Sequence, residues 1–514
     1  MGRINTNVQS LIAQRVLGQN NQSLGVALER LSTGLKINRG KDDPAGLIAS
    51  ENLRSEQKAL NQAISNADRA DQVANIAEGG LQEVSGLLTE LQGLLTSTAS
   101  KAGLSLEEKQ ANQLQIDSIL QTIDRVAAST NFQGIKLLNG NFDFRVSGVA
   151  TGVSDYRVNA AKFSGASLNV DIQVTTSAQQ AGLFLSAGGS NVNLNTNSAL
   201  VLEIAGSKGS RELSFSSGTT LAKITDAINS FSDVTGVEAV VSGTGILIRS
   251  EDFGSSEFVS VKVVNAAGIN STSNGDASTP VRGIYNRQSA AFNSNNTTIA
   301  STFSNATNAV RDVGQNVRAT VNGLAAVSNG KVLRVNSDFL DVEVSLSTAK
   351  SQALGNVGSG SNPAFSITGG GADFQLAGRV DIAGKVSIGI QDVAARKLGN
   401  SSLGYLDSLG SGKTNNVVDG ADLGNAQKIV SEAIKQTSGL RGRLGAFQKN
   451  TVGATIRSLG IAVENTAAAQ SVVRDSDFAT ETAQLTRSQI LVNASTNVLA
   501  LANQQPQSAL SLLG

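Results

Sequence analysis

The sequence lacks the side chains on which most enzyme active sites and metal centres depend. Its 514 residues include no Cys, no His, no Trp and only one Met. Without Cys there are no disulfides, thiolate nucleophiles or sulfur-ligated metals, and without His the usual acid/base and metal-binding side chain is missing. Catalysis would have to use carboxylates or Lys, so we expect no enzyme activity, no metal and no cofactor.

An excess of charge of either sign is also absent. Lys and Arg number 41 together, as do Asp and Glu, so the formal net charge is +0. No bulk electric field therefore draws the chain to nucleic acid or to an anionic membrane surface. We expect neither as a partner, whereas a neutral chain tolerates close packing of identical subunits.

Long hydrophobic runs are missing as well. The first twenty residues carry too many Asn, Gln and Arg for the apolar stretch of a secretory signal, so we expect no cleaved signal peptide. No later run approaches the roughly 18 uninterrupted apolar residues that a transmembrane helix needs.

Helical periodicity is present at the N-terminal end of the chain. Five leucines recur at spacings of seven, four, three and four residues, which places them on one helical face. These are Leu17, Leu24, Leu28, Leu31 and Leu35. Asp43 and Pro44 have the residue types of an N-cap and a first helical position, so they predict a helix start. The apolar stripe from Leu53 to Leu95 then predicts one helix of roughly 70 Å.

The C-terminal end repeats this pattern. Apolar spacing predicts a long helix across 429–463 and a last helix that carries Leu491, Val498 and Leu501. Such narrow apolar faces cannot be buried alone, and their simplest partners are the opposite terminus and neighbouring subunits. We therefore predict that these eight residues of the two ends, seven leucines and one valine, form a polymerisation seam.

The middle of the chain has a different pattern. Between about 142 and 415, short β-like runs alternate with Gly, Ser and Asn, as in 199–206, 237–249 and 258–264. The segment 219–231 is a helix candidate with a Thr cap. The sequence thus predicts an α+β multidomain protein in which both termini form a long antiparallel coiled-coil bundle and β-rich modules are inserted in the middle.

This organisation predicts four parts. Terminal helices of an inner core occupy 1–43 and 471–514, and a long-helix bundle with a short β-hairpin region occupies 44–165 and 416–470. A β-rich module with one helix spans 166–290, and a second, surface-exposed β-rich module spans 291–415.

Three segments go beyond a generic coiled coil and resemble bacterial flagellins. They are LERLSTGLKINRGKDDPAG at 28–46, DRVAASTNFQGIKLL at 124–138, and the C-terminal run from DSDFATETAQLTRSQ to NQQPQSALSLLG at 475–514. The resemblance covers about 1–145 and 420–514, and 146–415 corresponds to the part that varies among flagellins.

The resemblance implies a structural subunit that polymerises with copies of itself into the flagellar filament for swimming motility. It further implies hook-associated junction and cap proteins, the flagellar export apparatus and an export chaperone as partners. Because flagellins leave the cell through the flagellum's own channel, it also implies an extracellular location without a cleaved signal peptide.

Two alternatives stay open from the sequence. A hook–filament junction protein shares the terminal helices, although the NQQPQSALSLLG ending resembles filament subunits. The β insertion could also make the filament an adhesin or a carrier of a surface enzyme that uses Asp and Glu pairs, although no spacing of these residues favours hydrolysis.

The resemblance also bears on immune recognition. Many flagellins are bound by a Toll-like receptor through a basic residue and a leucine of the long N-terminal helix and a nearby acid. Alignment on AEGGLQEV at 77–84 and IDRV at 123–126 places Glu90 where those flagellins carry Arg, retains Leu94, and places Gln115 where they carry Glu. We therefore expect weakened recognition, because the charge at the expected centre is reversed.

Overall fold

The structure is a computed structural model of the chain. It describes residues 6–100, 104–163, 165–187, 191–192, 194, 199–243, 245–267, 269, 282–286, 299–303, 305–358, 360, 362–419 and 422–511, with side chains described up to residue 505.

Within these residues the chain forms nine α-helices. They are α1 (Val8–Thr33), α2 (Pro44–Thr98), α3 (Leu106–Ser129), α4 (Leu221–Asn229), α5 (Ser232–Thr235), α6 (Thr348–Gln352), α7 (Leu423–Ala446), α8 (Gly453–Arg474) and α9 (Phe478–Ser511). A 3₁₀ turn spans Leu406–Leu409, and a π-helical turn at Phe447–Val452 lies between α7 and α8.

The described strands all lie between α3 and α7 in the sequence. They are β1 (Asn131–Phe132), β2 (Ile135–Lys136), β3 (Phe144–Ser147), β4 (Val153–Ala161), β5 (Leu168–Val170), β6 (Ile172–Thr176), β7 (Gly182–Ser186), β8 (Leu200–Gly206), β9 (Ser210–Phe215), β10 (Val237–Ser242), β11 (Gly245–Ser250), β12 (Phe258–Asn265), β13 (Gly283–Asn286), β14 (Ile299–Ser301), β15 (Val310–Val313), β16 (Arg318–Val321), β17 (Leu324–Ala325), β18 (Val327–Asn329), β19 (Val332–Asn336), β20 (Leu340–Leu346), β21 (Gly355–Asn356), β22 (Phe365–Gly370), β23 (Ala372–Gln375), β24 (Lys385–Ile388), β25 (Gly399–Asn400) and β26 (Gly404–Tyr405).

The longest element is α2, whose 55 residues agree with the single helix that the apolar stripe predicts. Apart from Ser50 and Val73, its buried positions follow alternating steps of four and three, the spacing that keeps one helical face against a partner. They are Ala63, Ala67, Ala70, Ala74, Ala77, Leu81, Val84, Leu88, Leu91, Leu95 and Thr98. The stripe therefore changes from Ala in its first half to larger residues in its second half.

The chain divides into two compact units, and the division falls within α2. Unit 1 contains Met1–Ala74, Phe374–Lys385 and Gly445–Gly514. In it α1 and α9 pack against each other along their lengths. An isolated antiparallel bridge joins Leu35 to Asp475, which lies between the end of α8 and the start of α9.

Unit 2 contains Asn75–Asp373 and Val386–Leu444. Its helical part is formed by the end of α2 with α3 and α7, and Glu78 of α2 pairs with Arg441 of α7 at 2.8 Å. The start of α3 carries a complete capping box, in which Ser105 and Glu108 satisfy each other's backbone N–H groups.

The β-rich part of unit 2 has two hydrophobic cores. The module core is drawn from residues 181–306, with α4 packed on the sheets β10-β11-β7-β13-β14 and β15-β12-β8-β9. The base core is drawn from 144–178 and 317–367, under the sheets β17-β16-β6-β21, β18-β19-β20-β4 and β3-β22-β5. All the pairings are antiparallel.

Strand pairing does not follow the predicted domain limits inside the insertion. β20 lies beside β4, β16 beside β6, and β22 between β3 and β5, so the base core joins segments assigned to three different predicted parts. The limit at 165/166 falls inside this core, and the limit at 290/291 lies outside the described residues. Local periodicity cannot reveal this, because the paired strands are far apart in sequence.

The chain instead passes from the base core to the module core next to Gln179 and returns next to Gln315. These two residues form an antiparallel bridge in which each backbone N–H donates to the other's carbonyl, at 2.8 and 2.9 Å. Together with the terminal helices, this arrangement confirms the predicted fold class.

Candidate assembly interface

The pairing of α1 with α9 depends on small and polar side chains. In α9 the buried residues recur every seven positions, and in α1 they are also small: Glu481, Ser488, Ser495 and Ala502 on α9, and Ser10, Ala13 and Ala27 on α1. Small residues allow two helices to approach closely, but they bury little apolar surface. The pairing is therefore close and weakly hydrophobic.

Hydrogen bonds fix the register of this pair. Near the start of α1, Asn7 donates to the Ala502 carbonyl at 2.7 Å and Ser10 bonds Asn503 at 2.7 Å. In the middle of α1, Asn20 donates to the Ser495 hydroxyl at 2.6 Å. Polar groups at such positions specify one alignment, because a shifted register would leave them without partners.

The far end of α1 is fixed by an ion pair and by the backbone. Arg30 and Glu481 lie 3.1 Å apart, and both are largely shielded from solvent. The Lys36 N–H donates to the Arg474 carbonyl at 2.7 Å, and the Ser476 N–H donates to the Gly34 carbonyl at 2.9 Å. The contacts run from Asn7 with Ala502 to Arg30 with Glu481, so the two helices are antiparallel.

Large apolar side chains lie on the outside of this pair. We call six of them the outer apolar strip: Leu11, Ile12 and Val16 of α1, and Leu491, Val498 and Leu501 of α9, all of which are exposed. Four of the six line a groove of about 520 Å³ between the helices, together with small residues such as Ala13 and Ala494. The pairing thus leaves these six large apolar side chains exposed.

The residues of the predicted polymerisation seam differ in exposure, and three of them belong to the outer apolar strip. Leu17, Leu24, Leu31 and Leu35 are half-buried, and Leu28, Leu491, Val498 and Leu501 are exposed. The sequence-based seam omitted the register-fixing polar residues and also Leu11, Ile12 and Val16. The seven-residue repeat of Ser488, Ser495 and Ala502 is visible in the sequence and would have indicated the close face.

The predicted helix-start residues lie at the beginning of α2. Asp43 immediately precedes Pro44, the first residue of the helix, and its carboxylate accepts the Gly46 N–H at 2.9 Å. A negative side chain there also faces the positive end of the helix dipole.

The three positions matched to receptor contacts lie on α2 and α3. Glu90 and Gln115 are exposed, and Leu94 is half-buried on α2. Their role in receptor recognition stays a prediction.

A separate polar cavity of about 310 Å³ lies in unit 2, and Asp143, Tyr156, Arg157 and Thr437 are among its lining residues. Burial raises the pKa of Asp143 to about 6, although its hydrogen bond from the Phe144 N–H and the positive charge of Arg443 oppose this shift. Burial also lowers the pKa of Arg443 to about 10.

The described residues contain no cluster of three or more carboxylates that could hold a metal ion. Among the helices described, none is both long and apolar enough to cross a membrane. The surface formed by α1 and α9, with its exposed outer apolar strip, is the candidate site that the geometry favours most.

Comparison with known proteins identifies the family. The model of the bacterial flagellin N-terminal helical region matches residues 4–143, and that of the C-terminal helical region matches 427–513. A flagellin of Salmonella typhimurium is 30% identical over 526 aligned positions, which cover 99% of each chain. The chain belongs to the flagellin family. As a flagellin it is a structural subunit of the bacterial flagellar filament, which lies outside the cell.

Other known proteins and one further family model also match this flagellin. Flagellin B of Helicobacter pylori is 26% identical over 541 aligned positions, with 99% of each chain covered. The flagellin hook IN motif matches 199–252, within the module core. Among solved structures, the flagellar cap protein FliD of Escherichia coli is similar over 49% of this chain and 64% of its own, at 19% identity and a TM-score of 0.28. The flagellin resemblance is confirmed, and the junction-protein alternative has no better support.

Proposed function

We propose that this flagellin polymerises with copies of itself through the outer apolar strip. The observation that carries the proposal is the separation of surfaces on the α1–α9 pair. Small and polar residues fill the face between the two helices, while the outer apolar strip is exposed. Fully burying one such Leu or Val contributes about 1.5–3 kcal/mol. Covering the strip with a neighbouring subunit would therefore stabilise the polymer relative to the free subunits.

We further propose that the subunit leaves the cell through the flagellar channel without a cleaved signal peptide, and that the export apparatus and a chaperone handle it before assembly. Hook-associated junction and cap proteins then bind the two ends of the polymer. The family supports these partners. The protein acts by assembly rather than by catalysis, which the lack of Cys and His supports.

Polymerisation of the purified chain tests the assembly proposal. Leu501→Asp places a charge on the strip at a side chain that is 65% exposed, so it leaves the monomer folded. We expect its critical concentration for assembly to rise at least about tenfold, because a charge buried between subunits loses hydration without gaining a partner.

The control is Leu354→Asp, which changes a leucine that is 69% exposed on the loop after α6. It should polymerise like the unmodified chain when polymers are sedimented and viewed by electron microscopy. Normal assembly of Leu501→Asp would contradict the role of the strip.

A further inference from the structure

One loop of unit 1 is held rigidly by its own hydrogen bonds. It connects β23 to β24, and we call its residues 376–384 the anchored loop. The Leu376 N–H donates to the Gly384 carbonyl at 2.9 Å, and the Gly384 N–H donates to the Asp381 carboxylate at 2.7 Å. Gln375, just before the loop, donates its side-chain amide to the Arg379 carbonyl at 2.5 Å. The loop therefore has a defined shape.

The base of this loop is fixed to helices of the same unit. The Phe374 ring lies 6.0 Å from the ring of Phe447, in the π-helical turn. Asn66 of α2 donates to the Gln375 carbonyl at 3.1 Å, and Leu376 is buried. Gly378 lies against α2 so closely that an added Cβ would be 3.4 Å from the Leu60 side chain. One side of the loop is thus packed.

The other side of the loop carries two apolar side chains that are exposed to solvent. Val380 is 94% exposed, more than any other large apolar residue in the part of the chain that the structure describes, and Ile382 is 46% exposed. Turn tips ordinarily carry Gly, Asn, Asp or Ser. Because the loop is already ordered, covering these side chains would require little further loss of conformational entropy.

A second copy of the chain is the partner that fits this surface. The same unit exposes other large apolar residues on helices, namely Ile48 on α2 and Ile461 and Val472 on α8. In a filament every subunit is surrounded by copies, so surfaces of this composition are available to each loop. The chain's zero net charge allows such close packing.

We propose that the anchored loop is a contact between subunits, in which Val380 and Ile382 pack on exposed apolar side chains of α2 or α8 of another copy. The proposal rests on the proposed polymerisation and names a second surface for it, distinct from the outer apolar strip. The loop acts as a preformed projection, and assembly covers it.

The absence of Cys from the chain gives a direct test. Val380→Cys introduces a single thiol, and a maleimide reagent should label it rapidly in the monomer and at least about tenfold more slowly in polymer. The control is Val327→Cys, at a valine that is 78% exposed on β18, which should be labelled equally in both states. Equal labelling of Val380→Cys in monomer and polymer would overturn the proposal.

A second variant measures the contribution of the contact to assembly. Val380→Asp should raise the critical concentration at least about tenfold while its urea unfolding curve stays that of the unmodified monomer, whereas Val327→Asp should change neither. Assembly of Val380→Asp at the unmodified critical concentration would count against the loop. If the unmodified chain does not polymerise in the same assay, the polymerisation proposal itself fails, so the two failures are distinguishable.

Discussion

At the scale of single residues, Asp143 shows how a buried carboxylate couples folding to pH. Burial is the largest influence on its pKa, which rises from 3.8 to about 6, with Asp392 adding to the rise and Arg443 and Lys397 opposing it. The folded state therefore holds this proton more tightly than the unfolded state. The stabilising effect of protonation is present at low pH and is lost as the pH rises through 6.

Asp143→Asn should remove this dependence. Above pH 6 the variant should be more stable than the unmodified protein by roughly 1–3 kcal/mol, since the amide carries no buried charge, and near pH 4 the two should be equal. Urea unfolding of the monomer at pH 4, 5, 6 and 8 measures the difference.

The control for this series is Asp68→Asn, at an exposed position of α2, which should shift stability by less than about 0.5 kcal/mol. A constant offset between Asp143→Asn and the unmodified chain across the whole pH range would show that Asp143 does not titrate as described.

At the scale of elements, two adjacent glycines of α2 differ in their surroundings. An added Cβ at Gly79 would meet no atom within 4 Å, whereas at Gly80 it would lie 2.7 Å from both the Leu138 side chain and the Thr130 hydroxyl. Leu138 is fully buried, and the Thr130 hydroxyl donates to the Val126 carbonyl at 2.8 Å, so neither group is free to move. Gly80 is therefore required because Leu138 and Thr130 pack closely against α2 at this position.

Alanine substitutions at these two positions should change the stability of the monomer in opposite directions. Gly79→Ala should stabilise the monomer by about 0.5–1 kcal/mol through helix propensity, and Gly80→Ala should destabilise it by about 1–3 kcal/mol through overpacking. Urea unfolding at one pH measures both. Equal stabilisation by the two changes would mean that the contact with Leu138 relaxes without cost.

The elements also show what the sequence can and cannot predict. The stripe from Leu53 to Leu95 correctly predicted one long helix, because a 3.6-residue period is a local property of the chain. The face between α1 and α9 was not predicted, because Ser488 and Ser495 are polar and a search for hydrophobic periodicity does not include polar residues. Strand partners such as β4 and β20 were not predictable, because antiparallel pairing over a long separation has no local pattern.

At the scale of the whole molecule, the module core is connected to the base core through the Gln179–Gln315 bridge. A mutually hydrogen-bonded antiparallel pair is the kind of pair that closes a two-residue β-hairpin. Replacing 180–314 by Asn-Gly should therefore leave the base core and the helices folded and should preserve polymerisation. Sedimentation of polymer and urea unfolding of the shortened monomer test this.

Deletion of 291–415 is the informative comparison. It removes β16, β20 and β22, on which β6, β4 and β3 depend for pairing, so the remaining strands should lose their cooperative unfolding transition. If the Asn-Gly chain aggregates while the 291–415 deletion folds, the assignment of the two cores is wrong.

Because α1 pairs with α9, formation of this helix pair requires that both ends of the chain have been synthesised. Asn7 meets Ala502 and Arg30 meets Glu481, so the first helix finds its partner only after residues 481–502 have been made. A chain that ends early would lack α9 and would leave the close face of α1 uncovered. Closing so large a loop also makes this pairing entropically late in folding, after the sequence-contiguous module has had the chance to form. A chain truncated before α9 would therefore lack half of the surface through which we propose that subunits join the polymer.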